Sequence, residues 1–170
     1  MKIILTGGSG AVGQNVLNQL CENKDLDIIA FDQKNKRTEK FYEDYSNKVT
    51  VHYGDISKRE DLIGMAKDVD FVIHLAAIIP PLADQKPDLA FKVNVQGTKN
   101  LISVIEEHSK DAFFLYASSV SVYGDRLENP MIKVGDPLQP SVGDEYAKTK
   151  IQAENALQSS QLDWSIFRLS

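Results

Sequence analysis

Short runs of apolar residues alternate along the chain with stretches whose apolar positions recur every three or four residues. Ile3-Ile4-Leu5 is the first run, and the helical spacing that follows places Val12, Val16, Leu17 and Leu20 on one face. Asp27 to Phe31 predicts a second strand ending on Asp32. A charged, polar connection runs from there through Asn47. Val49 to Tyr53 predicts a third strand, closed by Gly54-Asp55, and Lys58 to Lys67 a short helix with Ser57 as its cap. Asp70 to Leu75 is almost wholly apolar and short, the pattern of a strand buried on both faces of a parallel sheet. Pro80-Pro81 breaks the chain. A long helix then runs from about Pro87 to His108, with Leu89, Val93, Gly97, Leu101 and Val104 on one side. Ala112 to Tyr116 predicts the fifth strand, a polar loop spans Asp125 to Ser141, a helix follows from Gly143 to Ser159, and Trp164 to Arg168 predicts the sixth strand. Strands alternating with helices predict an α/β fold, a doubly wound parallel sheet of six strands with its ligand at their carboxyl ends.

Composition narrows the function classes. The 170 residues are 42% hydrophobic and 25% charged, which suits one folded domain with a proper core and neither disorder nor a membrane protein. A net charge of -5 gives no general attraction to nucleic acid or to an anionic membrane. The one cysteine, Cys21, excludes an intrachain disulfide and is expected to be a small packed residue on the first helix. Met1-Lys2 enters the first strand without a signal peptide, and the longest apolar stretch, Phe71 to Ile79, is too short to cross a bilayer. Both point to a cytoplasmic protein. His52 and His74 lie in strands and His108 ends a helix, so no metal-ligand spacing appears.

The residues just past each strand are where the ligand of such a sheet is expected. Thr6-Gly7-Gly8-Ser9-Gly10-Ala11-Val12-Gly13 contains two overlapping patterns, G-x-G-x-x-G on Gly8, Gly10 and Gly13 and G-x-x-G-x-x-G on Gly7, Gly10 and Gly13. Between a strand and a helix, such a turn brings backbone close to a pyrophosphate and aims the helix's free N–H groups at it. Asp32, about 20 positions on at the tip of the second strand, stands where an acidic residue binds the ribose 2′-hydroxyl of NAD. Lys34, Lys36 and Arg37 would welcome the 2′-phosphate of NADP. Asp32 would repel that phosphate, so NAD is the expected cofactor. The small residues Ala76 and Ala77 suit a flat ring lying against backbone, and Gly54-Asp55 and Ser118-Ser119 open on the same edge.

Tyr146 and Lys150 lie four apart on a helix, one turn from each other on one face. A phenol, with a reference pKa of about 10, is a poor base near neutrality, but a neighbouring ammonium favours phenolate. That moves tyrosine towards general acid/base work, and Ser119 at the end of the fifth strand could place its hydroxyl on the same substrate oxygen. Standing alone, the spacing describes a surface pair. Here it follows a nucleotide-binding pattern.

Taken in order, Thr6 to Gly13, Asp32, Gly54-Asp55-Ile56, His74-Leu75-Ala76-Ala77, Asn94 to Thr98, Ser118 to Gly124 and Tyr146 to Lys150 resemble the extended short-chain dehydrogenase/reductases, and among them the NAD-dependent epimerase/dehydratase family. The resemblance covers essentially the whole chain. It implies a Rossmann fold that binds NAD through Gly7, Gly10, Ala11, Val12, Gly13, Asp32, Leu75, Ala76 and Ala77, with Asp55 and Ile56 flanking the adenine. It further implies Tyr146 as catalytic acid/base, Lys150 holding the nicotinamide ribose and depressing the tyrosine pKa, Ser119 polarising the substrate oxygen, and Asn94 supporting site and cofactor.

The same resemblance helps to choose the reaction. The family's sugar-nucleotide dehydratases carry an Asp-Glu pair directly after the serine or threonine, where this chain has Val120 and Ser121, and its decarboxylases keep a glutamate at the position of Ser121. Neither Val120 nor Ser121 can protonate a leaving hydroxyl or abstract a carbon-bound proton. Reversible hydride transfer remains, expected first as a nucleotide-sugar epimerase and alternatively as an alcohol or sugar dehydrogenase or ketone reductase. A non-catalytic NAD-binding module and a homodimer built on the long helix and the Tyr146 helix are the further readings. Family members usually continue into a seventh strand and a carboxyl-terminal substrate region. This chain is therefore expected to be one NAD-binding domain, residues 1–170, of a longer protein that grips its substrate elsewhere.

Overall fold

The structure, a computed structural model, describes residues 1–128 and 130–170, so the loop from Asp125 to Ser141 is described except at Asn129. Among the described residues six strands, β1 (Lys2–Thr6), β2 (Asp27–Asp32), β3 (Thr50–Tyr53), β4 (Phe71–His74), β5 (Phe113–Ser119) and β6 (Asp163–Leu169), form one parallel sheet in the order β3-β2-β1-β4-β5-β6. Chain order reverses between β1 and β4, whose registers bring Thr6 beside His74. A crevice opens at such a reversal, outside the carboxyl ends of the strands.

Alternate side chains of the strands feed two cores. Ile4, Ile29, Phe31, Val72, Phe114 and Tyr116 pack on one face beneath α6 (Thr98–His108) and α7 (Glu145–Gln158), which contribute Leu101, Val104, Ile105, Ala153 and Leu157. Leu5, Ile28 and Ala30 face the other way, against Leu17 of α1 (Ala11–Leu20) and Tyr42 of α2 (Lys36–Glu43). Helices on both faces explain why β1 and β4 read as continuous apolar runs.

Four local differences separate this fold from the pattern of the sequence. The connection after Asp32 contains α2, whose charged sequence KRTEKFYE has too few apolar positions to show a stripe. It is started by a capping box in which Asn35 Oδ1 accepts the N–H groups of Arg37 and Thr38 and the Thr38 hydroxyl accepts that of Asn35. The helix expected over 58–67 shrinks to α3 (Glu60–Ile63), and Ser57 does not cap it, because its N–H and hydroxyl both go to Asp55 Oδ1. The long helix begins with the short turns α4 (Leu82–Gln85) and α5 (Pro87–Ala90), winds through a π-helical segment at Phe91–Gly97, and continues as α6. β5 runs on to Ser119, and a 3₁₀ turn follows at Val120–Tyr123.

Candidate active site

Two clefts adjoin at the carboxyl ends of β1, β4 and β5. The first is lined by the Gly7–Gly10 turn, Asp32, Ile56, Leu75, Ala76 and Ala77. The second is lined by Val12, Leu75, Ala77, Ser119, Tyr146 and Lys150. Leu75 and Ala77 belong to both, so the β4 end is the shared wall.

Backbone geometry builds the first cleft. Gly7 takes a left-handed φ of 71°, and a β-carbon there would come within 2.8 Å of Ala76 N. A β-carbon on Gly13 would collide with the Gly7 carbonyl oxygen, so the helix can seat on the turn only with glycine at this place. α1 has no acidic residue in its first turn and no side-chain cap, which leaves its N–H groups and positive dipole end available. Ala11, at its first position, is exposed. These residues fit a dinucleotide phosphate, and the carboxylate that would meet a ribose hydroxyl opens on the same cleft.

Not every expected residue reaches a cleft. Asp55 does not line the first one: its carboxylate is occupied by Ser57, and hydrogen bonds from that residue hold its pKa below the ordinary value despite burial. Of the pair only Ile56 lines the wall. Asn94 is buried in the π-helical segment and lines neither cleft. Its amide accepts from Ile78 N at 2.7 Å and donates to Ile78 O at 2.9 Å and to the Thr149 hydroxyl at 3.0 Å, tying the β4 loop to α7. Thr149 in turn donates to the carbonyl of Tyr146. Asn94 is thus a brace for the tyrosine's helix.

Ser119, Tyr146 and Lys150 together line the second cleft. Ser119 Oγ accepts from Ser121 N at 3.2 Å. Lys150, buried, donates from Nζ to Ala117 O at 2.8 Å and lies 4.7 Å over the Tyr116 ring and 5.6 Å over that of Tyr146. Burial pushes the Lys150 ammonium down to about 8, partly offset by Glu154 one turn further on. The expectation that Lys150 depresses the tyrosine pKa does not describe this arrangement. Burial raises Tyr146 above the ordinary phenol, Asp144 adds to the rise, and the lysine is turned onto the Ala117 carbonyl.

Two buried networks hold these groups. The Thr98 hydroxyl donates to Asn94 O at 2.7 Å and so accepts from His74 Nε2–H at 2.8 Å, which leaves His74 Nδ1 to accept the Thr6 hydroxyl at 2.6 Å. Thr6 Oγ1 accepts in turn from Leu75 N and Ala76 N, fixing the wall the clefts share. Burial, reinforced by Lys150, pushes His74 down to about 3, so it stays neutral. In the second network Glu154, fully buried, takes both Nε and Nη2 of Arg168 and the hydroxyl of Ser118, while Arg168 Nη1 reaches the Tyr123 hydroxyl. Glu154 continues the spacing Tyr146, Lys150 by one more turn, a signal the sequence did carry.

Among the described residues no group of three His, Cys, Asp or Glu side chains could hold a metal ion, and no helix is long and apolar enough to cross a membrane. The model of the 3-beta hydroxysteroid dehydrogenase/isomerase family matches residues 4–164. The decarboxylating sterol-4-alpha-carboxylate 3-dehydrogenase of Schizosaccharomyces pombe is 31% identical over 156 residues, covering 91% of this chain and 44% of that relative. This chain therefore spans less than half of the relative's length. A short-chain dehydrogenase/reductase superfamily protein from Agrobacterium tumefaciens, solved with bound NAD, is 25% identical with a TM-score of 0.79 over 99% of this chain and 48% of its own. The UDP-Glc/GlcNAc 4-epimerase of Campylobacter jejuni shares the fold at a TM-score of 0.85 and 23% identity, over 98% of this chain and 52% of its own.

Proposed function

This chain belongs to the 3-beta hydroxysteroid dehydrogenase/isomerase family, and on that premise we propose that it is the cofactor-holding and proton-transferring part of an NAD-dependent oxidoreductase acting on a secondary alcohol carbon. The observation that carries the reading is the junction of the two clefts, which puts the glycine turn and Asp32 on one side of Leu75 and Ala77 and Ser119, Tyr146 and Lys150 on the other. NAD, when bound, supplies the hydride acceptor. Acting as phenolate, Tyr146 takes the hydroxyl proton and becomes the phenol as the carbon becomes a ketone, Ser119 holds the same oxygen, and Lys150, facing the Tyr146 ring, would hold the cofactor's ribose.

Two reactions use this set. Simple dehydrogenation is the first reading: the S. pombe relative is a 3-dehydrogenase, and Val12, Leu75, Ile79 and Pro80 give the second cleft an apolar wall suited to a largely hydrocarbon alcohol. Nucleotide-sugar epimerisation is the second, because it needs the same proton and hydride apparatus and no acid pair at Val120 and Ser121. Pairing of two copies, which rests on the resemblance, and a cytoplasmic place of work, expected from the sequence, belong to the same reading. Incubating the whole protein with NAD and a panel of hydroxysteroids and UDP-sugars separates the two. A dehydrogenase accumulates NADH and ketone in equal amounts, whereas an epimerase changes the sugar without net NADH. A folded protein that does neither contradicts the proposal.

A further inference from the structure

α2 brings to the first cleft a residue that the charged character of its sequence conceals. Tyr42, four positions after Thr38 on the buried side of α2, is 3% exposed and passes beneath the glycine turn, with Phe41 and Tyr53 against its ring edges. Its path lies beside Gly8: a β-carbon on Gly8 would come within 2.6 Å of the Tyr42 hydroxyl. Of the two glycine patterns in the turn, the one through Gly8 thus serves the tyrosine. That hydroxyl donates to Asp32 Oδ2 at 3.2 Å, and the same oxygen accepts Ser9 N at 3.1 Å and Ser9 Oγ at 2.6 Å. Oδ1 has the adjacent Gln33 N–H, at 3.1 Å. Burial, then the Asp32 charge, raises the Tyr42 phenol far above its ordinary value, so it remains a donor.

Resting on the NAD reading of this cleft, we propose that Tyr42 is a specificity-determining residue that clamps Asp32 against the cofactor's 2′ position and keeps NADP out. The clamp has something to work against. Arg37, exposed on the first turn of α2, lines the same cleft with its guanidinium 3.5 Å from Ser9 O, and a 2′-phosphate would find in it a charged, bidentate partner. A carboxylate with three donors on one oxygen cannot swing aside to let that phosphate in. Its other oxygen still accepts a ribose hydroxyl. Loss of the Tyr42 hydroxyl frees Asp32 to turn away and leaves Arg37 to choose.

Dissociation constants for NAD and NADP, measured calorimetrically on the protein and its Tyr42→Phe and Tyr42→Phe/Arg37→Gln variants, test this, with melting curves to confirm folding. Wild type is expected to favour NAD. Tyr42→Phe is expected to narrow the NAD:NADP ratio by about 3–10-fold, a change of the size one charge-assisted hydrogen bond produces, and the added Arg37→Gln to restore it. A structural role alone would weaken both cofactors equally, so an unchanged ratio in folded Tyr42→Phe overturns the proposal and leaves the NAD reading intact. A wild-type preference for NADP overturns it as well. Failure of the folded wild type to bind either cofactor overturns the NAD reading and the clamp with it.

Discussion

The Tyr146→Phe variant of the whole protein is expected to lose alcohol turnover by a factor of about 10²–10⁴ while its affinity for NAD stays close to wild type. The substitution keeps the ring that Lys150 faces and removes only the oxygen that exchanges the proton. Tyr146 sits half-buried on the first turn of α7, positioned by the Asn94–Thr149 brace. The ring's packing therefore survives and the chemistry does not. Steady-state rates on the best alcohol of the panel, with NAD binding measured in parallel, give both numbers. Undiminished turnover would remove Tyr146 from the acid/base role and, with it, the chemical use of the second cleft.

Glu154→Ala is expected to cost about 3–5 kcal/mol of folding stability, the loss typical when one member of a buried ion pair is removed and the other stays behind. Glu154 is fully buried, and its two carboxylate oxygens serve Arg168 and Ser118. Truncation leaves the Arg168 guanidinium, with the side chain 20% exposed, facing an empty, poorly solvated space. It also cuts the tie between α7, the end of β5 and β6, which is where Ser119 and Lys150 are positioned. Urea denaturation measures the cost. The exposed Arg59–Glu107 pair supplies the internal comparison, since Glu107→Gln should change stability by no more than about 1 kcal/mol. A Glu154→Ala protein as stable as wild type would show that the network is dispensable.

Much of this arrangement was legible in the sequence, and the parts that were not share a physical cause. Buried parallel strands announce themselves because both faces must be apolar, so Ile3-Ile4-Leu5 and Phe71 to Leu75 could be placed from composition alone. The glycine turn and the Tyr146-Lys150 spacing are local patterns that survive translation into space. What escaped depends on partners far away in the chain. The sequence shows Asp32 as a ribose ligand, and its clamp comes from Ser9 and from Tyr42 on a helix whose charge hides it. His74 shows in the sequence only as a strand residue of a family motif, and the Thr6 and Thr98 hydroxyls on its two nitrogens come from other elements of the chain. Glu154 meets Arg168 only because β6 lies beside β5. Asp55, which the resemblance sets beside the adenine, has one carboxylate oxygen engaged by Ser57, a local contact that the motif does not reveal.

The measurement that bears most directly on the cofactor site is a calorimetric titration of the purified 170-residue chain with NAD. Saturable binding of one NAD per chain, lost in a Gly13→Ala variant that still folds, is the predicted result. No binding heat from a wild-type chain shown to be folded would contradict it, because the turn, the α1 terminus and Asp32 would then be assembled and yet hold nothing.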